Sequence, residues 1–171
     1  MSSDVGFVCS CCGEKHDELP THYGSKAPAY WSDAIAEHPD SELTSDQCVI
    51  NGEHLFVKGL IEIPIIGGDI FSWAVWVSLS PRSFVRMIDL WETSGREDEP
   101  PYFGWLATEL FLYDQPTLNL KTQVHTRPVG ERPYVGLEPT DHPLAVEQRS
   151  GITTNRVQWF AEQLMHPERD R

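Results

Sequence analysis

The segment from Phe71 to Leu79 constrains the fold more than any other part of the chain. Every second residue of this segment is apolar, which is the period of a β-strand and places these side chains on one face: Phe71, Trp73, Val75, Val77 and Leu79. Ala74 and Trp76 make the opposite face apolar as well. A strand that is apolar on both faces needs cover on both sides, so we predict a central strand between two packed layers.

A helix is predicted directly after this strand. Ser80 is a good N-cap, and Pro81 suits the first helical position. Four apolar residues then follow at the spacing of one helix face: Phe84, Met87, Ile88 and Trp91. We therefore expect this helix to pack that stripe on the sheet.

The rest of the chain predicts further strands and short helices. A hairpin is expected over Asp46–Ile63, because Asn51-Gly52 suits a tight type I′ turn. Leu118–Arg127 alternates between apolar and polar residues and predicts a half-buried strand, and Tyr134–Leu137 predicts another. Helical segments are expected at 29–37, at 144–149 and after Thr153 or Thr154. Because strands and helices do not alternate regularly, we predict an α+β fold with a mainly antiparallel sheet and helices packed on it.

Length and charge restrict the class of protein. The 171 residues fit a single domain over 1–171, with an N-terminal knuckle at about 7–22 and a core at about 43–166. Lys and Arg number 13 against 26 Asp and Glu, a net charge of −13, which argues against binding nucleic acid or an anionic membrane. No apolar run reaches the roughly 18–20 residues that span a bilayer. The start of the chain lacks the pattern of a secretory signal, so a cytoplasmic location is expected.

The negative charge is concentrated in the first two-thirds of the chain. Residues 1–60 carry a net charge of −7, residues 61–120 carry −6, and residues 121–171 are neutral with seven Lys and Arg. One interpretation is a solvated acidic surface that keeps the protein in solution. The other is an acidic surface for a basic partner, together with a local Arg-containing site in the last third.

The N-terminal cysteines suggest a metal. Cys9 and Cys12 have the spacing with which two thiolates hold one Zn²⁺, and Gly13 permits the tight turn that such a knuckle needs. His16 and Cys48 are the candidates that complete a set of four ligands. Two alternatives stay open, namely ordinary thiols and a redox dithiol, although no thioredoxin-like βαβ pattern surrounds the motif.

A second candidate site lies in the last third of the chain. Alternate residues of the strand Leu118–Arg127 place Lys121, Gln123, His125 and Arg127 on one face, and further polar residues follow it. A cleft with these groups can bind a carboxylate or phosphate, because Arg offers a planar fork. The alternative is the solvent side of a two-faced strand, balanced by ion pairs. The candidate ligand-binding residues are His125, Arg127, Arg132, Asp141 and His142.

The tryptophans are expected to be mostly structural. Trp73, Trp91 and Trp159 lie on predicted core stripes. Trp31 and Trp105 lie near predicted loops, where either could line a groove, although we expect them to anchor the loops.

Six stretches of the chain form a recognisable pattern. They are Phe7-x-Cys9-x-x-Cys12-Gly13-x-x-His16 with Leu19-Pro20, Leu43-x-x-Asp46-x-Cys48-x-Ile50, Trp73-x-Val75-Trp76-Val77-Ser78-Leu79-Ser80, Pro101-x-Phe103-Gly104-Trp105-Leu106, His125-x-Arg127-Pro128 and Glu138-Pro139-Thr140-Asp141-His142-Pro143-Leu144-Ala145. Together they resemble an uncharacterised bacterial family, the domain of unknown function 2199. The resemblance covers roughly residues 7–166 and implies one compact bacterial domain, without implying an activity. The pattern includes the positions of Cys9, Cys12, His16 and Cys48, which makes a shared metal site attractive.

Three functions follow from these observations. The leading hypothesis is a zinc-binding structural or interaction module with a protein partner. The second is an enzyme, or a protein that binds a small anionic ligand, built on the polar cluster that includes His125, Arg127, Arg132 and His142. The third is an acidic, immunity-type protein that neutralises a basic partner.

Overall fold

The predicted central strand lies at the middle of the fold. A computed structural model describes residues 7–8, 13, 15–16 and 19–165. Strand β7 (Ile70–Leu79) pairs with β6 (His54–Pro64) along nearly its whole length, from Leu55 opposite Leu79 to Pro64 opposite Ile70. The two strands form a long antiparallel ribbon on which the other elements are built.

The hairpin before this ribbon is confirmed. Strand β5 (Gln47–Ile50) runs antiparallel to β6, and Asn51, Gly52 and Glu53 connect them. Asn51 and Gly52 have positive φ, 55° and 71°, as a type I′ turn requires. Gly52 also donates its N–H to the carbonyl of Asp40 at 2.8 Å, which ties the turn to the preceding segment.

Five strands close into a small barrel. Strand β7 pairs with β8 (Tyr102–Leu106), β8 with β9 (Lys121–His125), and β9 with β10 (Tyr134–Leu137), all antiparallel. The barrel closes where β10 meets β6 in parallel, with Tyr134 opposite Leu60. The predicted α+β class with a mainly antiparallel sheet is therefore confirmed, and the closed barrel is its additional feature.

Short strands extend the sheet beyond the barrel. Strand β4 (Glu42–Leu43) pairs antiparallel with β5, and β3 (His22–Gly24) pairs in parallel with the first half of β7. A separate two-stranded ribbon joins β1 (Phe7–Val8) to β2 (Lys15–His16). The predicted cysteine knuckle falls largely between these two strands, and Cys9 and Cys12 lie outside the described residues.

The described residues form four α-helices and one 3-10 turn over Arg96–Asp98. The helices are α1 (Asp33–Ala36), α2 (Pro81–Asp89), α3 (Pro143–Ser150) and α4 (Thr154–Met165). The Ser80 cap and the first-turn Pro81 of α2 are as predicted, since Ser80 Oγ accepts the N–H of Ser83 at 3.2 Å. None of the helices in the described ranges is long and apolar enough to cross a bilayer.

The central strand separates two apolar clusters. The inner cluster contains the odd-numbered residues of β7, the facing side chains of the barrel, and Val157 and Phe160 of α4. The outer cluster lies on the opposite face, where Trp76 packs with Cys48, Ile50, Phe56 and Ala107. The segment with Trp31 and Ile35 covers this outer cluster. The prediction that both faces of this strand are covered is confirmed.

Two sequence predictions are wrong at this level. The helix expected at 29–37 is only Asp33–Ala36, because the main chain before it is tied to the sheet by an Ala29 N–H bond to the Ala107 carbonyl at 2.8 Å. Trp159 is not a core residue, since it is 36% exposed. Its neighbour Phe160 points into the inner cluster instead, and the Arg156 guanidinium lies 4.7 Å from the Trp159 ring.

Candidate functional site

Within residues 19–165, no segment covers one part of the outer surface of the barrel. We call it the open face; it comprises Phe103, Trp105, Lys121, Gln123, His125, Tyr134 and Gly136. The register explains this set, because Phe103 lies opposite Gln123, which lies opposite Gly136. Residues between them, such as Gly104, Val124 and Val135, are buried.

Two aromatic side chains dominate the open face. Phe103 is 41% exposed and Trp105 is 43% exposed, and their rings meet edge to face with centroids 5.1 Å apart. Trp105 lies between Ser78 of β7 and Lys121 of β9 in the register. Large aromatic residues exposed on neighbouring positions of a rigid sheet are typical of an interaction surface.

The far side of the open face holds a histidine and a tyrosine. The ring of His125 is exposed and lies 5.8 Å from that of Tyr134. Gly136 leaves room beside them, because a Cβ there would stand 3.4 Å from Tyr134 and 3.6 Å from His125 Nε2. No side chain at position 136 therefore fills the surface beside these two rings.

Arg127 is held by an ion pair at the edge of this surface. Its guanidinium donates to both carboxylate oxygens of Glu62, at 2.9 and 2.7 Å, and lies 5.5 Å from the Tyr134 ring. The hydrogen bonds to Glu62 raise the pKa of Arg127. The fork that the sequence offered to an anionic ligand is thus already occupied by a carboxylate of the same chain.

Arg132 is paired in the same way with another carboxylate. Its Nε donates to Asp46 Oδ1 at 3.0 Å. Burial tends to raise the pKa of Asp46, but hydrogen bonds from Arg132 and Ser45 lower it overall. Arg132 lines a cavity of about 160 Å³ whose lining includes none of the other four predicted ligand-binding residues.

His142 has a structural position at the start of α3. It is 7% exposed, and its Nδ1 accepts the N–H of Leu144 at 3.1 Å. The proton must then lie on Nε2, which donates to the Pro116 carbonyl at 3.0 Å. Both ring nitrogens are used by the main chain, whereas Asp141 beside it is exposed. The structure therefore brings His125 and Arg127 together around Tyr134 and places Arg132 and His142 in other environments.

The predicted metal ligands are only partly described. The backbone of His16 lies in β2, opposite Phe7. Cys48 is 1% exposed in the outer cluster, and burial raises the pKa of its thiol to about 11. Across the residues that the structure describes, no three His, Cys, Asp or Glu side chains are grouped to hold a metal ion.

The comparison with protein families gives one match. Residues 8–152 match the family described as an uncharacterized protein conserved in bacteria, DUF2199. The chain belongs to this family. A search of curated proteins finds no match, and a search of solved structures finds none either.

The region matched to DUF2199 contains the entire barrel and the open face. It extends from Val8 in β1 to Ile152, just before α4. The description of DUF2199 gives no activity, so the function of this member has to be argued from its own residues.

Sequence reasoning missed the main feature of this DUF2199 surface. Phe103 and Trp105 alternate with the buried Gly104 and Leu106, a strand pattern with two aromatics on its outer side. The alternation was readable in the sequence, but Trp105 was expected to anchor a loop. Arg96 was also missed, because a charged loop residue gives no local sign that it will be buried.

Proposed function

We propose that this DUF2199 protein is a binding module whose open face docks a basic protein partner. The observation that carries the proposal is the pair Phe103 and Trp105, which lie side by side on β8 with about two-fifths of each side chain exposed. Trp and Phe are enriched at the cores of protein interfaces, and Trp is among the residue types that most often carry a large share of the binding energy.

The polar groups around this pair favour binding over acid–base chemistry. Arg127 is held by Glu62, and Gln123 donates to Glu138 at 3.3 Å. Each of these groups is held by its partner, and together they form a hydrogen-bonded polar rim around the apolar centre made by Phe103 and Trp105. Lys121 and His125 remain exposed on the same face and offer contacts to a partner.

The charge of the chain supports a basic partner. A net charge of −13 attracts a basic protein during diffusion and repels an acidic one. The aromatic pair then supplies apolar contact area, while the acidic excess sets the association rate. None of the seven residues of the open face is acidic, so the acidic residues act on the approach of the partner and not through contacts in that face. On these grounds we propose an immunity-type protein that neutralises a basic partner.

Photo-crosslinking tests the proposal. A photo-reactive amino acid at position 103, introduced in the bacterium that encodes the chain, should cross-link to a protein of basic isoelectric point. With that protein purified, Trp105→Ala should weaken binding at least tenfold, on the order of an interface hot spot. Val85→Ala is the matched control, because Val85 is 55% exposed on α2, away from the open face.

Three results would contradict this function. One is a cross-link only to a second copy of the chain. Another is a partner that binds Trp105→Ala as tightly as the unchanged protein. The third is an association rate that does not fall with added salt, since electrostatic steering is screened by ions.

We also propose a zinc site in the N-terminal ribbon, held by Cys9, Cys12 and His16. Two observations support it. Gly13 has φ of 73°, the left-handed conformation that the knuckle requires. The pairing of β1 with β2 places His16 opposite Phe7, two positions before Cys9 in the sequence.

The proposed set leaves out Cys48. Its thiol is buried among apolar side chains of the outer cluster, and a zinc ligand must be a thiolate. The carbonyl of Val8 accepts a hydrogen bond from Gln158 of α4 at 3.0 Å. Helix α4 packs on the inner cluster, whereas Cys48 lies in the outer cluster. Val8, in strand β1 of the N-terminal ribbon, therefore lies on the opposite face of the sheet from Cys48.

Elemental analysis tests the metal. Protein purified without added metal should contain about one zinc per chain, and Cys9→Ser should lose it. Cys48→Ala is the matched control and should keep it. Zinc near zero in the unchanged protein, or retained zinc in Cys9→Ser, would refute the site.

A further inference from the structure

A cavity of about 540 Å³ lies at the end of the β5–β6 hairpin. Its walls come from the hairpin, from the end of β7 and from the segment that carries α1. Half of the ten lining residues are apolar: Ile35, Ile50, Leu55, Phe56 and Leu79. Its volume is in the range of small-molecule sites, which are largely apolar with a few polar groups.

An aromatic ring at the cavity is held in place. Tyr30 lies with its ring centroid 6.1 Å from that of Phe56, and its hydroxyl donates to Asn119 Oδ1 at 3.3 Å. The ring is 45% exposed, so one side of it remains available to a ligand. A fixed aromatic face with neighbouring apolar side chains favours the apolar part of a ligand and, through its negative π-face, a cation.

The formal charge at the cavity is negative. Glu53 lines it beside His54, and among the described residues no Lys or Arg side chain does. Within the described part of the chain the Glu53 carboxylate makes no ion pair or side-chain hydrogen bond with another residue, unlike Glu62 and Asp46. Residues 1–60, which provide most of the lining, carry a net charge of −7.

We propose that this cavity binds a small organic cation with an apolar body and a protonated amine. The apolar body would lie against Ile50, Phe56 and Leu79. The ammonium group would lie between the Glu53 carboxylate and the Tyr30 ring. This site is separate from the open face, and it stands whether or not a protein partner docks there.

Three probes of similar size test the ligand class. Phenethylamine, 2-phenylethanol and 3-phenylpropanoate differ mainly in charge, and their binding to the full chain is measured by ¹H–¹⁵N NMR titration at low salt. We expect the amine to bind about tenfold more tightly than the alcohol, and the carboxylate not to bind. The shifted amides should be those of residues 30, 35, 50–56 and 78–79.

Matched variants assign the charge effect to one residue. Glu53→Gln should weaken amine binding about five- to tenfold and leave the binding of the alcohol unchanged. Glu42→Gln removes the same charge from an exposed position that does not line the cavity, and should have little effect. Phe103→Ala should leave amine binding unchanged, which separates this site from the open face.

The proposal is overturned by any of three outcomes. The first is equal affinity for the amine and the alcohol. The second is an equal loss of amine affinity in Glu53→Gln and Glu42→Gln, which would indicate only the general negative charge. The third is a set of shifted amides centred elsewhere in the protein.

Discussion

At the residue scale, Arg96 shows how a charge can be buried with main-chain carbonyls as its partners and no carboxylate among the described residues. Its side chain is 6% exposed, and its guanidinium donates to the carbonyls of Trp91, Arg127, Pro128 and Glu131 at 2.7–3.0 Å. The planar fork reaches several carbonyls at once, which an ammonium cannot do. Arg96 thereby fixes the turn that follows β9 at the edge of the open face.

We predict that Arg96→Lys lowers the free energy of unfolding by about 2–4 kcal/mol, because it leaves buried carbonyls without donors. Urea unfolding measures the change. Arg82→Lys is the matched control, since Arg82 is exposed on α2, and it should change the stability by less than about 0.5 kcal/mol. Similar losses of unfolding free energy in the two variants would show that water forms hydrogen bonds with the carbonyls of the turn when Arg96 is replaced.

Cys48 gives a prediction about pH. Burial raises the pKa of this thiol to about 11 from an ordinary value of 9.0, so the folded protein holds the proton more tightly than the unfolded chain. The resulting stabilisation is complete below pH 9 and is lost as the pH rises towards 11.

We expect alkylation of Cys48 by iodoacetamide, followed by peptide mass spectrometry, to remain slow in the native protein from about pH 7 to about pH 9. In urea the same peptide should react with the profile of a free thiol. Fast native labelling near neutral pH would mean that Cys48 is an accessible thiolate, and would return it to the set of possible zinc ligands.

At the element scale, glycine residues in the barrel strands determine how closely neighbouring strands can approach each other. A Cβ at Gly104 in β8 would collide with Val77 Cγ1 and stand 2.7 Å from the Ser78 carbonyl oxygen. A Cβ at Gly136 in β10 would make only ordinary contacts, the nearest at 3.4 Å. The packing of β8 against β7 therefore requires glycine at position 104, whereas Gly136 lies at the open outer surface of the barrel.

We predict that Gly104→Ala destabilises the protein by about 3 kcal/mol, because the clash involves main chain that cannot yield easily. Gly136→Ala should change the stability by less than about 0.5 kcal/mol. Thermal or urea unfolding of both variants makes the comparison. A stable Gly104→Ala variant would contradict the close approach of β7 and β8.

At the scale of the whole molecule, repulsion among the excess acidic residues affects the stability more than the ion pairs do. The pairs Arg127–Glu62, Arg132–Asp46 and Arg156–Glu147 are partly exposed, and such pairs contribute little each. The net charge of −13 instead produces repulsion across the entire surface.

We therefore predict that added salt stabilises the protein. Raising NaCl from about 20 mM to about 300 mM should increase Tm by about 2–5 °C, because screening weakens the repulsion more than the pairs. The double variant Asp33→Lys and Glu42→Lys, at exposed positions, should show a higher Tm at low salt and a smaller salt effect. A fall in Tm with salt would show that the ion pairs dominate.

The separate elements were predictable because their signals are local. Alternation identified β7 and β9, the Ser80-Pro81 pair identified the start of α2, and Asn51-Gly52 identified the hairpin turn. The candidate site was less predictable. The sequence placed Lys121, Gln123 and His125 correctly on one exposed side of β9, but it gave no sign of which residues would lie beside them.

The sequence by itself determined the class of fold, the two-sided burial of the central strand and the acidic character of the molecule. These properties depend on the period of a few residues or on composition alone. Only the tertiary structure determined the closure of the barrel, the position of the open face and the ion-pair partners of the charged groups. Arg127 meets Glu62 across 65 positions, and Arg132 meets Asp46 across 86. Such partners are selected by strand register and barrel closure, which no local pattern specifies.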